Sequence, residues 1–362
     1  MDDKRIVLTL DAGGTNFVFS AIQGGEKIVK EVILSSEANN LDASLDNLVI
    51  GFKEVINRLS EKPVAISFAF PGPADYPAGI IGDLPNFPAF RGGVALGPYL
   101  EDKFGLPVFI NNDGDLFAYG EALTGVLPQI NQKLKAAGSK KQYKNLLGVT
   151  LGTGFGAGIV LAGELLIGDN AAGGDVWCLR NKKYPQHIIE ESVSIRAIKR
   201  VYKELSGDKN ADTLEPLDIF NIAEEKKAGN VEAAKASFAE LGELAGDAIS
   251  TAITLIDGLI VIGGGLAGAS KYFLPALIKE MNSKLGMMDG NIFNRLQMKA
   301  YNLEDEEQFA RFAKGEAKTI KIQGTDKLID YDPMKRIGII TTKQGTSHSV
   351  ALGAYMYAIK HL

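Results

Sequence analysis

The stretch IVLTLDAGGTNFVFSAI, residues 6–22, sets one carboxylate, Asp11, at the end of an apolar run, then Gly13, Gly14 and Thr15, then a second apolar run. A plain hairpin needs only one or two turn residues. An acid, two glycines and a hydroxyl between two strands describe a turn shaped to accept a ligand, because backbone N–H groups can approach it where no Cβ intervenes. The device returns in LLGVTLGTGFGAGIVLAGELLIG (146–168): strand, Gly/Thr turn, strand, and a hairpin that matches the earlier GGEKIV. A third glycine turn, 263–265, ends the apolar strand GLIVIGGG (258–265). None has the Gly-Lys-Ser/Thr ending of a P-loop or opens a helix as G-x-G-x-x-G. Any one alone reads as an ordinary tight turn. Three in order, the first carrying an acid, read as the parts of a nucleotide site.

Strands are predicted at 6–10, 17–22, 27–36, 64–72 and 106–115, and helical spacing at 41–59 and 116–137. A helix around 231–253 precedes the strand 258–265, and SVALGAYMYAIKHL (349–362) has the spacing of a closing helix. Strands alternating with helices make an α/β protein, and the internal duplication implies two related halves with a ligand cleft between them.

Length and composition suit a globular protein of two domains or one large one: 362 residues, 46% hydrophobic and 23% charged. A net charge of −5 argues against a nucleic-acid partner, which calls for a basic face. The segment LIDGLIVIGGGLAG (255–268) is too short and glycine-rich to span a membrane, and no signal-peptide pattern opens the chain, so a cytoplasmic protein is expected. The single cysteine, Cys178, excludes an internal disulfide.

A second polar cluster, INNDGDLFAYGE (110–121), puts Asn111, Asn112, Asp113 and Asp115 at the C-terminal end of a strand, where open α/β sheets hold ligands. A carboxylate there can take a proton from an attacking hydroxyl that a neighbouring amide fixes. Asp113 is assigned that chemistry, and Asp115 to a helix N-cap or to ligand support. Asp11 would repel a phosphate unless a cation lay between them, so it reads as a partner of Mg²⁺ held through water, or as the cap of its own loop in an Asx-type turn, two roles that are compatible.

In this order the motifs resemble those of the ROK family (repressors, open reading frames and kinases), within the sugar kinase, heat-shock protein and actin superfamily. DAGGTN (11–16) resembles its first phosphate motif, LGTGFGAG (151–158) its second and VIGGG (261–265) its adenosine motif. NNDGD (111–115), FPGPAD (70–75), LPNF (84–87) and IEESVSIRAI (189–198) are similar to its remaining elements. The resemblance implies two ribonuclease H-like (actin-like ATPase) domains with a cleft between them. The expected division is 1–115 with 348–362 against 116–347, the latter with a family-atypical insertion near 300–345.

The implied reaction is ATP- and Mg²⁺-dependent phosphorylation of a hexose at its 6-hydroxyl, with Asp113 as base. Glucose is the first candidate, with fructose, mannose or an N-acetylhexosamine as alternatives, and a catalytically silent sugar binder as another. Asn86, Asn112 and Glu190 would hold sugar hydroxyls, with Asp175 in place of the family's Glu. Gly13, Gly14, Thr15, Asn16, Thr153 and Gly154 would surround the ATP phosphates, and Gly264 and Gly265 would lie near the adenosine. A homodimer is the family expectation. A DNA-binding repressor is not expected, because the first strand begins near Ile6.

One stretch departs from the family pattern. AGGDVWCLRNKKYPQHIIEE (172–191) replaces its Gly-Glu-x-Gly-His segment and its cysteine-rich zinc loop. Cys178 and His187 alone cannot supply the four ligands of structural zinc, so none is expected. Trp177 or Cys178 takes the place of the family's histidine, with Trp177 read either as a stacking face for a sugar or as a core anchor of the loop. The segment 300–345 contains the acidic LEDEEQ (303–308) and a hairpin within 318–342, expected to cover a sheet edge or a dimer contact.

Overall fold

The computed structural model describes residues 3–83 and 87–362, so Asn86 lies outside the described residues. The chain forms two compact units: residues 1–125, 158–174 and 344–362 make the first, and 126–157 with 175–343 make the second.

The chain opens with β1 (Ile6–Ala12), β2 (Asn16–Gln23), β3 (Glu26–Lys27), β4 (Val32–Ser35) and α1 (Leu41–Ile56). Next come β5 (Ala65–Ala69), the small hairpin β6 (Ala74–Asp75) and β7 (Ile80–Ile81), α2 (Leu96–Phe104), β8 (Val108–Asn111) and α3 (Asp113–Leu123). The middle of the chain holds α4 (Val126–Ala136), β9 (Leu146–Leu151), β10 (Phe155–Leu161), β11 (Glu164–Leu165), α5 (Ile195–Ser206), α6 (Pro216–Ala223) and α7 (Val231–Ile256). It is followed by β12 (Leu259–Gly263), α8 (Ser270–Met281), β13 (Lys284–Gly286), β14 (Ile292–Asn294) and β15 (Lys299–Asn302). The last elements are α9 (Glu306–Lys314), β16 (Lys318–Lys321), β17 (Leu328–Tyr331), β18 (Arg336–Thr341) and α10 (Thr346–His361).

The two large sheets repeat one plan. The first runs β3-β2-β1-β5-β8, with β1 antiparallel to β2 and parallel to β5, and β5 parallel to β8. The second runs β11-β10-β9-β12-β18-β15, with β9, β12, β18 and β15 mutually parallel. β9 therefore answers to β1, β12 to β5 and β18 to β8.

That correspondence corrects the expected insertion at 300–345. β15 and β18 are strands of the main sheet, and every residue of β18 is buried. RIGIIT (336–341) is a nearly continuous apolar run, as parallel strands covered on both faces require. Within this segment the hairpin β16–β17 is exposed along its whole length and pairs with neither large sheet.

Local boundaries also move. The predicted strand 27–36 is two short strands, β3 and β4. The predicted helix 116–137 is α3 and α4, separated at Thr124-Gly125. The strand expected to reach 115 stops at Asn111, and the cap of α3 is Asn112, whose Oδ1 accepts from Gly114 N at 2.8 Å. Asp115 is thus not the N-cap; it lies inside the first turn and is buried. The residue one place ahead of the helix is the one whose side chain reaches the free amides at N2 and N3, and here that residue is Asn112.

In the first unit α1 sets Leu48, Phe52 and Val55 against the sheet, with Phe52 edge-on to Phe19 at 5.0 Å. Tyr355 and Ala358 of α10 pack with Val7, Ile22 and Ala65. Among the described residues no helix is long and apolar enough to cross a membrane.

Candidate active site

In the first unit Asp11 is the penultimate residue of β1, opposite Val18 of β2 and beside Ala69 of β5. The turn that follows is closed by Gly13 N donating to Asn16 O at 3.0 Å. It is braced from outside, where Ser36 N donates to Thr15 O (2.9 Å) and Ser36 Oγ to Gly14 O (2.7 Å). A Cβ on Gly13 would sit 3.0 Å from Asn16 O, whereas one on Gly14 would meet nothing within 4 Å. The first glycine serves the turn, and the second leaves open space above it. Thr15 and Asn16 are exposed at its tip.

A cavity of about 520 Å³ in this unit is lined by Asp11, Phe70, Gly72, Asn112, Asp113 and Thr346, among others. Asp113 is the first residue of α3, and its Oδ1 accepts from Gly114 N at 2.8 Å. Its side chain is exposed and opens onto the cavity, with protein packed close enough around it to weaken its hydration. That desolvation raises its pKa above the ordinary carboxylate range; hydrogen bonds from the Gly114 and Asp113 amides oppose the shift, and the charge of Asp11 adds to it.

In the second unit the duplicated turn lies between β9 and β10. Gly152 N donates to Gly154 O (3.0 Å), and Phe155 N donates to Glu190 Oε2 (3.0 Å). A Cβ on Gly154 would stand 2.6 Å from that same Oε2, so glycine is what lets the carboxylate lie over the turn. The other oxygen, Oε1, accepts from Arg196 Nη2 at 3.2 Å. Glu190 is therefore tied to Phe155 and Arg196 beside the turn rather than left with two free oxygens.

The third turn follows β12. Gly264 has φ +87°, and a Cβ there would drive into the Leu151 backbone. Leu266 N donates to Leu151 O at 3.0 Å, which ties the loop to the end of β9. Gly265 again faces open space. An apolar slot of about 170 Å³ lies beside it, lined by Pro216, Leu217, Phe220, Phe238 and Leu266. The sequence reading missed this wall. Its signal was the capping box of α6, Glu215 with Asp218, followed by the Pro216-Leu217 start.

Among the predicted residues, Asp11, Asn112 and Asp113 share the first unit's cavity, while Asp175 is exposed ahead of a short 3₁₀ turn, Val176–Cys178. Trp177 on that turn is 41% exposed, which removes the reading of it as a core anchor; Val176 is the buried residue there. Among the described residues no three His, Cys, Asp or Glu side chains gather as a metal site. Asp11 offers an accessible carboxylate beside a second one, an all-oxygen donor set that suits a hard cation keeping most of its water.

Residues 7–305 match the sequence model of the ROK family. A crystal structure of glucokinase from Parabacteroides distasonis is 66% identical to this chain, with a TM-score of 0.93 over 100% of this chain and 99% of that one. Glucokinase of Thermotoga maritima is 29% identical over 182 residues; the match takes in 48% of this chain and spans 50% of that protein's length. N-acetyl-D-glucosamine kinase of Photobacterium profundum is 26% identical over 275 residues, 71% of this chain and 83% of its own.

Proposed function

The chain belongs to the ROK family and has its two-domain actin-like fold, and on that premise we propose that it transfers the terminal phosphoryl group of ATP to the 6-hydroxyl of a hexose. The observation that carries this reading is the first unit's cavity. There Asp113, a carboxylate with a raised pKa, shares one space with Asp11 at the foot of a glycine turn.

Asp113 accepts the proton of the 6-hydroxyl as that oxygen attacks phosphorus. A carboxylate whose pKa lies above the ordinary range is, once ionised, a stronger base. Asn112, Asn86, Glu190 and Asp175 are assigned to the other sugar hydroxyls. Gly13, Gly14, Thr15, Asn16, Thr153 and Gly154 offer N–H and hydroxyl donors to the phosphates. Gly264 and Gly265 carry the adenosine, with the apolar slot beside Gly265 taking the base. Asp11 would hold Mg²⁺ through water, and the ion when bound neutralises phosphate charge.

Glucose is the proposed hexose, supported by the closeness of the Parabacteroides protein. An N-acetylhexosamine is the second reading, supported by the Photobacterium relative. Trp177 offers an exposed ring against which a sugar face can stack. The exposed free thiol of Cys178 suits the reducing cytoplasm. A homodimer is proposed because every residue of the β13–β14 hairpin is exposed, including Leu285, Ile292 and Phe293, and an isolated two-stranded hairpin is marginal in water.

The test is coupled ADP release over a panel of hexoses, with and without a chelator of divalent cations. Sugar-dependent turnover that the chelator abolishes is expected. ATP binding without turnover on any sugar would favour the silent binder instead.

A further inference from the structure

The proposed mechanism gives no part to FPGPADY (70–76), yet this segment reaches the site. It leaves the end of β5, and Tyr76 near its close folds back with its ring buried at 6% exposure. The Tyr76 hydroxyl donates to the Phe70 carbonyl oxygen at 3.0 Å. Its own oxygen then accepts from Asn112 Nδ2 at 3.3 Å. Phe70 N in turn donates to Asn111 O at 3.0 Å. One phenol thus ties the end of β5 to the residue that caps α3.

The direction of these bonds determines what Asn112 can offer. Because the Tyr76 proton goes to a carbonyl, its oxygen can only accept from the amide, and this fixes Nδ2 toward Tyr76 and Oδ1 toward Gly114 N, which donates to it at 2.8 Å. The same Gly114 N also donates to Asp113 Oδ1 at 2.8 Å. If the Asn112 amide turned over, the cap would face an NH₂ group and the shared amide would lose one acceptor. Gly72 belongs to the same arrangement: a Cβ there would come within 2.9 Å of the Tyr76 hydroxyl. The glycine between two prolines keeps the place where the phenol reaches.

We propose that Tyr76 is a positioning residue for the phosphoryl transfer, acting through Asn112: its hydroxyl sets the amide so that α3 stays capped, Asp113 stays aimed and one Nδ2 hydrogen is left to donate to a sugar hydroxyl. This rests on Asp113 being the base. Misplacing a reacting group by about 1 Å can cost on the order of 100-fold in rate.

The experiment is steady-state kinetics on Tyr76→Phe, Asn112→Ala, the double variant and Asp113→Asn. Tyr76→Phe keeps the buried ring; it is expected to lower kcat by about 10- to 100-fold and leave the KM for ATP within about twofold. In the Asn112→Ala background the same change is expected to alter kcat by less than about twofold, because residues acting in series are not additive. Gly72→Ala, which crowds the hydroxyl without removing it, is expected to reproduce the kcat loss. Wild-type kcat in both Tyr76→Phe and Gly72→Ala would overturn the proposal, and so would fully multiplicative losses in the double variant. In either case an inactive Asp113→Asn leaves the kinase reading standing, whereas an active Asp113→Asn overturns the base and the positioning role together.

Discussion

Gly120 of α3 lies so close to Ser349 of α10 that a methyl group added to it would drive into the Ser349 carbonyl. Gly353 meets the Leu116 carbonyl in the same way, and Ser349 Oγ donates to the buried Glu121 Oε1 at 2.6 Å. Two helices crossing backbone to backbone leave no room for either to slide, and Asp113 is the first residue of one of them. Gly120→Ala is expected to destabilise the protein by about 2–3 kcal/mol, the cost of overpacking a site that cannot relax. Urea unfolding measures it; a change below about 0.5 kcal/mol would mean that the crossing yields.

The raised pKa of Asp113 has consequences for activity and for stability. The acid limb of kcat/KM is expected above the ordinary carboxylate value of 3.8, since the base must ionise first. The native state also holds this proton more tightly than the unfolded chain does. Its contribution to stability is therefore complete below the unfolded pKa and is lost as pH rises through the folded one. Asp113→Asn has nearly the same shape and no charge to desolvate. It is expected to melt above the wild type at about pH 8, the gap closing toward about pH 4. Equal melting temperatures at the higher pH would contradict the desolvation argument.

The two adjacent glycines of the third turn should respond differently. Gly264→Val is expected to prevent folding, because φ is +87° and the new side chain meets the Leu151 backbone. Gly265→Val has room and should fold. Its branches would project into the space proposed for the nucleotide, raising the KM for ATP by about tenfold or more while the sugar KM stays within about twofold. A sugar KM that rises in step would place the nucleotide elsewhere.

Met288 and Phe293 stand in solvent on the β13–β14 hairpin. If this hairpin joins two copies, Met288→Asp with Phe293→Asp should convert a dimer to a monomer in multi-angle light scattering, with the melting temperature little changed. An unaltered mass would remove the hairpin from the interface.

The hairpins and turns were legible because glycine, an acid and strand periodicity leave local marks. β2–β3 and β10–β11, read as one device used twice, hold equivalent places in the two sheets. Asp113 and Asn112 were singled out because strand ends in such sheets hold ligands, and both line the first unit's cavity. What stayed hidden depends on contacts distant in sequence. β18 looked like half of a charged hairpin until its pairing with β12 and β15 gave it both neighbours. Tyr76 reaches Asn112 across 36 residues, and Glu190 reaches Phe155 across 35. No local pattern announces such bonds.

The most direct test of the account is the rate of Asp113→Asn on the best hexose, with sugar binding measured separately by calorimetry. A positioned base contributes on the order of 100- to 10,000-fold. A kcat loss in that range is expected, with sugar affinity within about threefold of the wild type. A variant that binds the sugar normally and keeps more than about a tenth of the wild-type kcat would show that the proton leaves by another route.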